Sequence, residues 1–149
     1  MVTTEIIQFP ETLRAMTVHF PFAWAMVQGL KTEEYRTRRT TYRGIFLVHA
    51  SANDEWDFEL DNFDTYPQQI VHKAILGAVE LVDCQDRGDH FAYILQSPMA
   101  FEKPIPASGQ QVPFWRASTP EKVEVFNQAW DAMQPNTIID PETQRAWFI

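Results

Sequence analysis

The chain has 149 residues, 45% of them hydrophobic and 13% aromatic, which suits a globular domain with a sizeable core rather than a disordered chain. Its formal net charge of −8 and pI near 4.9 argue against general affinity for duplex DNA, which depends on many phosphate contacts. One cysteine, Cys84, excludes an internal disulfide or a cysteine-based zinc site. The four histidines show no metal-ligand spacing, and neither a metal nor a cofactor is expected. No apolar run approaches the roughly 18 residues of a membrane span. The N-terminus has no signal-peptide pattern, so the expected compartment is cytoplasmic.

Residues 1–12 lack periodicity and are expected to form an N-terminal arm. The alternation from Leu13 to His19 predicts a first strand. Pro21 then opens a short helix running to Val27, apolar on most sides, and Gly29 is placed to stop it in a left-handed cap. Lys31 to Thr37 is expected to be extended, and Thr40 to Gly44 a turn. The next six residues, Ile45 to Ala50, form a β-prone apolar run suited to the centre of a sheet. From Asp54 to Asp64 six carboxylates occur with no basic residue, which reads as a solvated loop or a loose helical insertion and lacks calcium-loop spacing.

Tyr66 to Lys73 is expected as a strand or a helical turn. Ala74 to Cys84 is the second strong strand, with Gly77 a bulge or close-approach point. Asp86 to Asp89 reads as a turn and His90 to Leu95 as the next strand. Met99 to Pro106 is read as a separate strand, interrupted by Pro104 and Pro106 and so at an edge or finishing there. Ser118-Thr119-Pro120-Glu121 is a helix start, and Val123, Phe126, Ala129, Trp130 and Met133 follow at helical spacing before Pro135. The last residues, with Trp147 and Phe148, are expected as a tail.

Positive charge gathers in one place. Between Lys31 and Arg43 five basic residues face two acidic ones, a local net of +3 against −11 for the rest. Lys31 offers a compact cation, Arg36 a planar fork for bidentate phosphate contacts, and Glu34 an acceptor for an exocyclic amine. Trp24, Tyr35 and Tyr42 are candidates to stack on a base, although Trp24 and Phe22 read as core before base platform. Arg38, Arg39 and Arg43 are either surface charges or phosphate contacts. Lys31, Glu34 and Arg36 can equally form an ion-pair network with a purely structural role. His49 reads as a satisfied structural histidine.

Thr17-Val18-His19-Phe20-Pro21-Phe22-Ala23-Trp24-Ala25, then Gly29-x-Lys31-x-x-Glu34-x-Arg36, then Tyr42-Arg43-Gly44 and His49-Ala50-Ser51, resemble the ASCH domain of the PUA-like β-barrel superfamily. Gly77 to Cys84 and Lys103 to Pro106 also look like strands of that family. The resemblance covers about residues 13–115 and implies an α+β fold: a small PUA-like β-barrel, a short N-terminal helix at a cleft and a C-terminal helix packed outside. A single domain over 1–149 is expected, with a helical extension at about 118–134.

That resemblance implies RNA or nucleotide binding in a cleft lined by the signature, with Lys31, Glu34, Arg36, Pro21, Trp24, Tyr42 and Arg43 as ligand-binding candidates. Single-stranded RNA or a modified nucleoside or nucleotide is the implied partner. Where the family often has Gln before the proline and Trp after it, this chain has Phe20 and Phe22, which makes the cleft wall more apolar. The alternative is a hydrolase acting on RNA or on an amide of the N4-acetylcytidine type, with Lys31 and Glu34 as the catalytic pair. Small bacterial proteins with ASCH-like sequences hydrolyse that amide with a lysine, a threonine and a glutamate. The lysine carries over to Lys31, Glu34 stands where the threonine would, and no residue here matches the glutamate. A third reading makes the C-terminal helix and the acidic segment a protein-interaction surface.

Overall fold

A computed structural model describes residues 6–149, so residues 1–5 of the expected arm lie outside the described residues. Five strands form one mixed sheet: β1 (Arg14–Val18), β2 (Glu33–Arg36), β3 (Gly44–Ala50), β4 (Ala74–Asp86) and β5 (Phe91–Pro106). Their order across the sheet is β1-β3-β4-β5-β2, with β1 parallel to β3 and the other neighbours antiparallel. Helix α1 (Phe20–Val27) joins the two outer strands in sequence and packs against β3, β4 and β5. This is the expected α+β class, with the ladder ending at β1 and β2.

Side chains alternate along a strand, so each interior strand feeds two cores. Phe46, Val48, Leu76, Val79, Tyr93 and Leu95 meet α1 on one face. Ile45, Leu47, Ile75, Ala78 and Ile105 meet α2 (Pro120–Met133) through Phe126, Ala129, Trp130 and Met133 on the other. Every residue of β3 is buried, as its interior position requires. The C-terminal helix therefore packs on the sheet face away from α1. Thr119 caps it, its hydroxyl accepting from the Lys122 amide at 3.2 Å, with Pro120 in the first turn.

Helix α1 is too short to persist alone and is held because all its residues but Phe22 are buried. Gly29 ends it with φ +79°. Leu30 and Lys31 amides both donate to the Ala25 carbonyl, turning the chain directly into β2. Gly77 has no room for a side chain: a Cβ there would lie 2.1 Å from the Met99 carbonyl oxygen, and the β4–β5 register shifts beside it.

Three expectations need correction. Residues 91–106 form one strand, not two. Beyond Leu95, whose amide still donates to the Thr32 carbonyl, β5 is paired with β4 alone, so Pro98 and Pro104 deprive no second neighbour of a donor, and register shifts absorb the irregularity. Residues 66–73 are neither strand nor helix, but a bent segment ending at Lys73 with φ +56°. The C-terminal tail is instead a hairpin of β6 (Thr137–Ile139) and β7 (Ala146–Phe148). It is fastened to β4 by the buried Glu80 carboxylate, which accepts from the Phe148 amide at 2.7 Å. The acidic segment is a short 3-10 helix, Asp57–Asn62, anchored by buried Leu60. Among the described residues, no helix is long and apolar enough to cross a membrane.

Candidate functional site

Glu34 and Arg36 are two apart on β2 and so share a face of the strand. Arg36 folds back on its neighbour, with Nε and Nη2 each 2.9 Å from Glu34 Oε2. Lys31, just past the helix stop, brings Nζ to 3.4 Å from Glu34 Oε1 and also donates to the Glu33 carbonyl. Glu34 is only 8% exposed, and its burial as a carboxylate is compensated by a cation on each oxygen. The ion-pair network expected as the structural alternative is thus formed. It carries one net positive charge.

The pair opens into a cleft of about 400 Å³. Glu34, Tyr35 and Arg36 line it from β2. Thr17, Val18 and His19 come from the end of β1, Phe22 from α1, Ser51 and Asn53 from the segment after β3, and Gln111 from the loop before α2. Lys31 does not line it but lies beside Glu34, its Nζ 5.1 Å from the Tyr35 ring centre and 6.0 Å from that of Phe22, and lines instead a separate cavity of about 140 Å³ with Met26, Gly29 and Leu95. Such cation–aromatic distances are attractive. The exposed Tyr35 hydroxyl donates to Glu33 at 3.0 Å. That bond raises the phenol's pKa and, with Arg87 also bonded to Glu33, lowers the carboxylate's.

Behind the cleft wall lies a closed hydrogen-bond chain. The Ala107 carbonyl lies 2.7 Å from His49 Nε2 and can only accept, so Nε2 carries the hydrogen and Nδ1 accepts from the Thr17 hydroxyl at 3.1 Å. Thr17 Oγ1 in turn accepts from Trp115 Nε1 at 3.0 Å. Burial holds the His49 pKa below its ordinary value, although the Ala107 bond opposes this. The neutral ring is what this arrangement requires.

Of the seven ligand candidates, Glu34 and Arg36 line the cleft, and Lys31 joins them only through its ion pair with Glu34. Pro21 is buried in the first turn of α1 beside Phe22 and does not line it. Trp24 is buried edge-on against Phe63. Tyr42 is stacked on Phe114 at 4.6 Å between ring centres, and its hydroxyl donates to the Ile45 carbonyl. Arg43 turns back on the Thr40 and Tyr42 carbonyls. Phe20 is core, so the more apolar cleft wall comes from Phe22 alone. His19, Asn53 and Gln111 were missed as lining residues. His19 and Ser51 lay within the recognised motifs, while nothing local distinguished Asn53 or Gln111. Among the described residues, no group of three or more His, Cys, Asp or Glu could hold a metal ion.

The profile of the ASCH domain matches residues 16–138. Among solved structures, the ASCH protein of Zymomonas mobilis is similar with a TM-score of 0.51 and 15% identity, covering 79% of this chain and 95% of that one. Two single-residue variants of that protein match similarly, with TM-scores of 0.51 and 0.52 at 15% and 16% identity. They cover 78% and 80% of this chain, and 97% and 98% of theirs. Likeness at that identity speaks to the fold. No curated protein matches the chain.

Proposed function

Because this chain belongs to the ASCH domain family, we propose that it binds single-stranded RNA or a nucleotide, taking one nucleobase into the cleft between α1 and β2. The observation that supports this reading best is the Lys31–Glu34–Arg36 cluster, set at a cleft of about 400 Å³ with aromatic walls at Phe22 and Tyr35. That volume lies in the range of small-molecule sites and suits a single base with its sugar, not a helix. Tyr35 would offer the stacking face, since Trp24 and Tyr42 are taken up by packing. Glu34 would accept from an exocyclic amine or, in uracil, from the ring N3–H, and Lys31 and Arg36 would face carbonyl or phosphate oxygens.

A second reading rests on the 3.4 Å approach of Lys31 Nζ to Glu34 Oε1. In it, this pair serves hydrolysis of RNA or of a modified-nucleoside amide of the N4-acetylcytidine type. The family is generally RNA-binding or hydrolase-like, so both readings fall within it. Binding is favoured because Thr17, the hydroxyl on the cleft wall, spends its hydrogen on His49.

The test is fluorescence anisotropy of a fluorescein-labelled hexauridylate and its adenine and cytosine counterparts, at low and physiological salt. Wild type should bind more weakly as salt rises, and Lys31→Ala should bind more weakly still at each salt. No binding of any oligonucleotide at any salt would overturn the RNA reading. Acetate release from N4-acetylcytidine, abolished by Lys31→Ala, would establish the hydrolase instead.

A further inference from the structure

We propose that a second cavity adjoining the cleft, built around Lys73, is a subsite for the phosphate group of a nucleotide whose base occupies the cleft. The inference rests on that base-binding reading and extends it. The cavity measures about 170 Å³ and shares Thr17, Ser51 and Gln111 with the cleft, so the two adjoin across those side chains. Lys73, Ser108 and Gly109 line it as well.

Lys73 is a non-glycine residue with φ +56°, a backbone state that persists only where its surroundings over-determine it. Here three backbone hydrogen bonds do so. The Lys73 amide donates to the Ala50 carbonyl at 2.9 Å and reaches that of Ser51 at 3.3 Å, and its own carbonyl accepts from the Ala107 amide at 3.0 Å. Glycine would meet this geometry without strain, yet the position carries a lysine. Among the described residues its ammonium forms no ion pair, unlike Lys31, Arg36, Arg39 and Arg87. No carboxylate lines the cavity, in a chain of net charge −8.

The rest of the lining suits an anion. The Ser108 hydroxyl and the Gln111 amide are donors, and His49 is fixed as a neutral ring by the Ala107 carbonyl. Gly109 lies so close to the Thr17–His49 hydrogen bond that a Cβ would come within 2.5 Å of both side chains. The loop backbone therefore forms the cavity wall, where a side chain would fill the space. A cation, neutral donors and no competing carboxylate select a phosphate, either within a strand or on a free mononucleotide.

The experiment titrates the isotopically labelled full chain with inorganic phosphate, uridine and uridine 5′-monophosphate, following the amide resonances of residues 107–109. Hexauridylate anisotropy is measured in parallel across salt. The variants are Lys73→Gly, which suits the positive φ and should fold, and Lys73→Arg, which retains the charge. Phosphate should shift those resonances in wild type and Lys73→Arg but not in Lys73→Gly. The slope of log affinity against log salt for hexauridylate should become shallower by about 0.7 in Lys73→Gly.

Phosphate shifts with no hexauridylate binding, and uridine 5′-monophosphate binding more tightly than uridine, would keep the subsite, assign it to free nucleotides and remove the RNA reading. Hexauridylate binding whose slope is the same in Lys73→Gly would overturn the subsite and leave the RNA reading standing. Absence of any shift with phosphate or nucleotide would overturn the subsite outright.

Discussion

Glu34→Gln tests whether the buried carboxylate clamp is an energetic element of the fold. The substitution keeps the shape but removes the charge that faces Lys31 at 3.4 Å and Arg36 at 2.9 Å. Fully exposed ion pairs contribute about 0–1 kcal/mol, and breaking a fully buried one costs about 3–5 kcal/mol. The side chains here are 11%, 18% and 27% exposed, which places the clamp between those limits. The amide also turns a donor toward a cation that can only donate. A loss of about 2 kcal/mol follows, and for a chain of this size a fall in Tm of about 4–8 °C. Urea unfolding and calorimetry measure both, and Lys31→Met alone should cost less, because Arg36 still neutralises the carboxylate. A Glu34→Gln protein within about 0.5 kcal/mol of wild type, in low salt, would refute the clamp as a source of stability.

Three other outcomes are expected. The His49 pKa lies below the ordinary histidine value because its ring is buried, so the unfolded chain binds the proton more readily. The contribution of His49 to stability is therefore complete above about pH 6.5 and is lost as pH falls below that value toward the folded pKa. Proton NMR of the ring should titrate below 6.5, and a titration at or above 6.5 would contradict the burial argument. Gly109→Ala forces a Cβ to within 2.5 Å of Thr17 and His49 and should cost about 1–3 kcal/mol in urea unfolding; an unchanged midpoint would show that the loop can move aside. Thr119→Ala removes the cap of α2 and should cost about 1 kcal/mol, with Thr119→Ser retaining most of it; equal losses in the two would sink the capping account.

What the sequence showed of the fold was set locally, and what it hid was set by contacts. The α1 segment could be read because Pro21, the apolar run and Gly29 act within ten residues of each other. The α2 start was equally local, since Thr119 bonds only three residues ahead. β5 was split in two because proline breaks a strand only when its missing donor faces a neighbour, and strand order decides that. The C-terminal hairpin has strands of only three residues and depends on Glu80, 68 positions away from the Phe148 amide it accepts from. In the candidate site, the Lys31–Glu34–Arg36 spacing could be read because one strand and one turn build it. Tyr42 and Trp24 could not be excluded from sequence, since an aromatic ring suits a base and a core equally well until its neighbours are known.

The charge asymmetry changes meaning once the ion pairs are seen. A local excess of basic residues between Lys31 and Arg43 suggests a positive field, yet Lys31 and Arg36 share Glu34, Arg39 lies 3.9 Å from Asp86, and Arg87 holds Glu33. Two of the five positive charges between Lys31 and Arg43 are thus cancelled at short range, by Glu34 and Asp86, and screening confines the field of the rest to about 10 Å. What is left for a strand's phosphates is the residual charge of the Lys31–Arg36 cluster, Arg38, Arg43 and Lys73, the last three without an ion pair among the described residues. Two or three such contacts on a single strand give a slope of log affinity against log salt of about −1.4 to −2.1. Hexauridylate titrations between low and physiological salt measure it. A slope steeper than about −4 would mean that the ion pairs open to release their cations, so that the cluster is a reservoir of phosphate contacts and not a fixed clamp. A shallow slope would leave recognition to the base in the cleft, with charge serving to orient it.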